Sequence, residues 1–104
     1  MNKLIWMSAG ALMAIANPAL AQNFEMGRVQ ALYADPGNNP DFVIELDRRG
    51  RCGSSFYHLN RSFPNFQQSV DLAKLALAHD KKMLVWIIGC RGDRQLLSHA
   101  GAAR

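Results

Sequence analysis

The chain is poor in the features that most often announce a reaction. It holds two cysteines and three histidines, with no Cys-x-x-Cys and no clustered Cys/His spacing, so the zinc-ribbon and thioredoxin-type patterns are excluded. There is no His-Glu-x-x-His, no Gly-x-Ser-x-Gly and no glycine-rich phosphate loop, which removes the signatures of metalloproteases, nucleophile-elbow hydrolases and P-loop enzymes. No repeat, low-complexity tract or linker divides the chain, and nothing argues for a second domain. The longest apolar run, Leu4 to Ala16, is 13 residues and falls short of the roughly 20 of a membrane-spanning helix. None of these residues asks for a cofactor or a metal.

What is present begins at the N-terminus. Lys3 is followed by an uncharged apolar run from Leu4 to Ala16, then by Pro18 and the small-residue pattern Ala19-Leu20-Ala21. This is the layout of a signal peptide cleaved after Ala21, with no cysteine nearby to carry a lipid anchor. Residues 1–21 are therefore expected to be removed and residues 22–104 to form one domain, periplasmic or secreted. Taking 21 residues from 104 leaves 83, and losing Lys3 lowers the net charge from +4 to +3. So short a chain buries a modest core and usually needs a covalent staple. In an oxidising compartment Cys52 and Cys90 are expected to supply it as a disulfide.

Periodicity gives the elements. Phe24 and Met26, then Val29, Ala31 and Tyr33, alternate with a change of parity across Gly27-Arg28, which reads as a long strand bent or bulged at Gly27. The turn-rich segment Asp35-Pro36-Gly37-Asn38-Asn39-Pro40 ends it. Phe42, Ile44 and Leu46 alternate with Val43, Glu45 and Asp47, a half-buried strand. Arg48-Arg49-Gly50-Arg51 makes a tight connection, with Gly50 suited to positive φ, into a third strand over Cys52–Leu59. Phe66, Val70, Ala73 and Leu77 then form one stripe of a helix that stops near His79-Asp80, with Asn65 and Gln68 placed as a capping box. Met83 to Ile88, six consecutive apolar residues, reads as a strand covered on both faces. Arg94–His99 is a short last strand before a frayed alanine-rich end. The order β-β-β-α-β, with a further β, is that of an OB-like small β-barrel with one helix between strands three and four. An α+β sheet with one packed helix shares that order.

The stretches Phe42–Leu46, Cys52, Phe66–Ala78 and Lys82–Cys90 carry a resemblance. The chain resembles small exported proteobacterial proteins of uncharacterised function that combine a signal peptide, a cysteine-bearing hairpin, an amphipathic helix and an apolar strand ending in cysteine. The helix-then-strand segment is also distantly similar to the B subunits of subtilase-cytotoxin-like AB5 toxins. That similarity implies an OB fold, glycan binding and a homo-oligomeric assembly; it carries none of that family's binding residues onto this chain.

The functional candidates are few. Tyr57, His58, Asn60 and Arg61 form the single mixed aromatic, polar and basic cluster, at the end of the third strand, and are the candidate binding residues. Tyr33 and Trp86 are further aromatics with a polar handle, although Trp86 sits in the most apolar strand and suits a core. His79 is favourably placed at a helix C-terminus. The arginines around Gly50 are suited to an anionic partner or to a solvated hairpin tip, and Arg91-Gly92-Asp93 to a plain turn. The expected function is an exported, non-enzymatic binding domain for a glycan or an envelope or exported protein, with nucleic acid disfavoured by export. The rival is a small exported hydrolase or nuclease using His58 with Glu45 or Asp47.

Overall fold

The structure is a computed structural model that describes residues 23–104; the predicted signal segment, residues 1–21, lies outside the described residues. Among the described residues five strands run in the order β1 (Phe24–Ala34), β2 (Phe42–Leu46), β3 (Phe56–Leu59), β4 (Lys82–Arg91) and β5 (Arg94–Ala103), with one helix, α1 (Phe66–His79), between β3 and β4. They close into a barrel in the cyclic order β1-β2-β3-β5-β4. This is the OB-like arrangement, and closure decides against an open sheet.

Closure depends on β1 and β5. β1 serves two neighbours: Phe24–Arg28 pairs with β4, and Val29–Ala34 pairs with β2. It crosses from one to the other through a register shift between Val29 and Ala31, so the bulge falls at Gln30 and not at Gly27. Side-chain parity changes there. Glu25, Gly27 and Val29 face inward before the bulge and Leu32, opposite fully buried Ile44, after it. Gly27 is glycine for a different reason: a Cβ there would stand 2.8 Å from Asp47 Oδ1. β5 is longer than its composition suggests. It pairs with β4 from Arg91↔Arg94 to Lys82↔Ala103, so the alanine-rich end is strand and the last gap in the barrel is filled.

Five other expectations are corrected. β3 begins at Phe56, and residues 52–55 form turns and bends, with Gly53 and not Gly50 taking positive φ (114°). Gly50 instead lies against Gln95, where a Cβ would come within 2.2 Å of the side chain. β4 is not covered on both faces: Met83, Val85 and Ile87 point into the core, while Ile88 is 57% exposed. Trp86 lies on the outer face, packed between Phe24 and a stacked His99 ring at 4.4 Å. Asn65 makes no side-chain cap on α1; its amide donates to the Ser98 carbonyl at 3.0 Å and ties the helix start to β5.

The barrel interior is filled by Val29, Ile44, Leu46, Tyr57, Leu59, Met83, Val85, Ile87 and Leu97. Phe66, Val70, Ala73 and Ala76 of α1 complete the same cluster. Ala76 replaces Leu77 in the expected stripe, because the buried face follows the i, i+3, i+4 rule and leaves Leu77 41% exposed. α1 ends where Asp80 adopts a left-handed conformation (φ 54°) and its N–H closes on the Ala76 carbonyl.

Cys52 and Cys90 are disulfide-bonded, with Cα atoms 5.6 Å apart. The bond joins the β2–β3 connection to the end of β4. Beside it Gln95 is fully buried and fully satisfied: Oε1 accepts from the Cys52 N–H at 2.9 Å, and Nε2 donates to the Ser54 and Phe56 carbonyls. Among the described residues no helix is long and apolar enough to cross a membrane.

Candidate functional site

Alternation in the β1–β2–β3 sheet places Tyr33, Val43, Glu45, Phe56 and His58 on one outer face, since Tyr33↔Val43↔His58 and Glu45↔Phe56 are register partners. Two connections border this face: residues 35–41 between β1 and β2, and the turn at Gly92-Asp93 between β4 and β5. A cavity of about 390 Å³ opens there, lined by Tyr33, Asp35, Val43, Phe56 and Arg94. Its wall is aromatic, with the Tyr33 and Phe56 rings edge-to-face at 6.0 Å. Its polar groups are the Tyr33 hydroxyl, which donates to Glu45 Oε1 at 2.9 Å, and the Arg94–Asp35 pair at 3.1 Å. The hydrogen bond to Glu45, with a little burial, raises the Tyr33 pKa above its ordinary value.

Beside the cavity a charged cluster clamps the two connections together. His58 is only 1% exposed although it lies on the outer face, because the residues 35–41 segment and two arginines cover it. Arg94 donates to Nδ1 at 3.2 Å and Asp41 Oδ2 lies 2.8 Å from Nε2. A guanidinium can only donate, so Nδ1 is the acceptor; Nε2 lies 3.3 Å from Arg91 but closer, 2.8 Å, to the Asp41 carboxylate, which can only accept, and the ring proton is assigned to Nε2 on that shorter contact. Asp41 also accepts from the Arg61 N–H at 2.8 Å and from Arg91 at 3.3 Å. Partial burial works against the ionised carboxylate, but the Arg61 N–H, His58 and Arg91 outweigh it and hold the Asp41 pKa below the usual carboxylate value.

The four candidate binding residues separate. Tyr57 points into the barrel, is fully buried, and donates to Glu25 Oε1 at 2.5 Å; burial first, then the Glu25 carboxylate, pushes its pKa well up. His58 belongs to the clamp. Asn60 shapes the turn before α1, accepting from the Ser62 N–H at 2.9 Å. Arg61 lies over the Phe66 ring at 4.6 Å and donates to the Pro40 carbonyl. They lie within five residues of sequence but do not converge on one cavity. Nor does His58 meet Glu45 or Asp47: Glu45 is taken by Tyr33, and Asp47 accepts from the Arg28 N–H at 2.9 Å.

The basic turn is tied to its own chain. Arg48 approaches Glu25 at 3.8 Å, Arg49 donates to the Gly53 carbonyl, and Arg51 donates to Asn23 Oδ1 at 2.6 Å. Arg91 of the Arg-Gly-Asp tripeptide is likewise held by Asp41.

Asp35, Asp41, Phe56 and Arg94 were not among the sequence candidates for the site. Strand parity carries a signal for Phe56, which shares its face with His58. The two aspartates lie in a turn segment where acidic residues are common for local reasons, and only the fold brings them to the arginines after Cys90. No protein-family profile, curated protein or solved structure matches this chain.

Proposed function

We propose that the chain is an exported, non-enzymatic binding domain that holds a glycan on the outer face of β1–β2–β3. The observation that carries this reading is the cavity walled by Tyr33 and Phe56 with Arg94 and Asp35 at its edge. Aromatic faces pack against the C–H surfaces of a sugar ring, while a guanidinium and a carboxylate satisfy its hydroxyls. The volume is at the lower end of small-ligand sites, about 300–1,000 Å³. OB-type barrels use the strand 2–3 face and its two bordering loops for oligosaccharides and oligonucleotides. The arginines of the 48–51 turn already have partners within the chain, which favours the sugar. Export is supported by the N-terminal pattern together with the disulfide.

The non-enzymatic reading is supported by His58, whose two ring nitrogens both have protein partners and leave no free base. A hydrolase built on His58 with Glu45 or Asp47 has less support, since each carboxylate serves another group.

A glycan array followed by calorimetry on the best ligand tests the proposal. Saturable binding is expected, weakened about tenfold or more, roughly 1.4 kcal/mol, by Tyr33→Ala. Failure to bind any glycan at micromolar concentration, or binding indifferent to Tyr33→Ala and Phe56→Ala, overturns it.

A further inference from the structure

A second concavity, of about 300 Å³, lies between the C-terminal turns of α1 and the end of β5. Its walls are small and apolar. Ala76 on the helix and Ala102 and Ala103 on the strand leave the space, and Leu75, 55% exposed, forms one side. Its rim is basic: His79, Lys81 and Arg104 line it, and no acidic side chain does. A helix C-terminus attracts cations, which accounts for His79 and Lys81 but not for Arg104, which comes from the other wall.

The basic side chains of this rim have no carboxylate partner among the described residues, unlike four of the arginines elsewhere on the molecule. Arg28, Arg48, Arg91 and Arg94 each meet a carboxylate. Among the described residues none of His79, Lys81 and Arg104 does. The nearest acid in sequence, Asp80, is turned away, held by Arg28 at its carbonyl (2.7 Å) and its carboxylate (3.2 Å). The Lys81 N–H is fixed on the Ala76 carbonyl at 2.9 Å, which anchors the lysine at the groove.

From an apolar floor and a rim whose polar side chains are all basic we infer that this groove is a binding site for a single-chain anionic amphiphile, a fatty acid: the alkyl chain lies against Leu75 and the alanines, and the carboxylate meets the side chains of Lys81 and Arg104. Burying a CH₂ group is worth about 0.8 kcal/mol, so affinity rises with chain length up to the capacity of the groove. The site is separate from the aromatic cavity, and neither reading depends on the other.

Dodecanoate titrated into the oxidised protein below its micellar concentration, followed by amide chemical shifts, tests the inference. Saturable shifts are expected at Leu75, Lys81 and Ala102, with octanoate weaker than dodecanoate. The double variant Lys81→Glu/Arg104→Glu should weaken dodecanoate about tenfold or more while leaving the uncharged dodecyl maltoside unchanged. Ala102→Leu fills the groove from an exposed strand position and should weaken both, whereas Tyr33→Ala should weaken neither. No saturable shift at these residues, equal loss of both probes in the charge-reversed variant, or shifts unaffected by Ala102→Leu overturns the inference.

Discussion

Tyr57 and Glu25 meet inside the barrel, and their hydrogen bond makes the molecule sensitive to alkali. Burial and the adjacent carboxylate raise the phenol pKa in the folded state. The stability linked to this proton is therefore complete below the unfolded value of about 10 and is lost as pH rises above it. Tyr57→Phe leaves Glu25 without its donor and is expected to cost about 1–3 kcal/mol in chemical denaturation. The variant should also show a shallower loss of stability above about pH 10. Asp41 acts in the opposite direction. Its lowered pKa contributes stability above the unfolded value of about 4, which is lost as pH falls through the folded value. Asp41→Asn should flatten the acid limb of the stability profile and loosen the 35–41 segment. Denaturation midpoints between pH 2 and 7 check this, and an unchanged acid slope would show that Asp41 contributes nothing there.

Among the elements, those with clean alternation or a helical stripe were legible from the residues alone, β2 and α1, whereas β4 was legible as a strand but not as one with a single buried face. The misreadings share a cause, which is contact between distant segments. Gly27 resembles a bend in isolation, but it is small because Asp47 crosses close to it, and the bulge lies three residues on. The stretch from Ala100 to Ala103 has poor strand propensity and pairs only because β4 offers a long partner. Asn65 carries a capping signature yet is spent on β5. The same holds for the candidate site. Tyr57 and His58 stood out as chemistry-bearing neighbours, but adjacent strand residues face opposite ways, so one is core and the other belongs to the clamp. Gly50 gives this scale its test. Gly50→Ala drives a Cβ into the Gln95 side chain, and overpacking of this kind costs about 1–3 kcal/mol. Pairing it with Gln95→Ala should recover part of the loss that Gly50→Ala causes on its own, and a thermal-shift cycle reads that coupling directly.

For the molecule as a whole, the disulfide matters most. Linking positions 38 apart constrains the unfolded chain by about 4 kcal/mol in the entropy model, a large share of what so small a domain holds. Reduction, or Cys52→Ser with Cys90→Ser, is expected to lower the denaturation free energy by about that amount, and an unchanged midpoint would refute a stabilising role. The parallel contact between β3 and β5 has a more specific consequence. It consists of two residue pairs, Tyr57↔Gln95 and His58↔Leu96, whereas β4 and β5 are matched along their whole length. Gln95 and the disulfide flank this short seam like two stitches. When the barrel breathes, it should therefore unroll along that line into a sheet with β3 at one edge and β5 at the other, with the antiparallel ladders intact. Hydrogen exchange would show this as early deuteration at the seam in the reduced protein, while the amides between β4 and β5 stay protected.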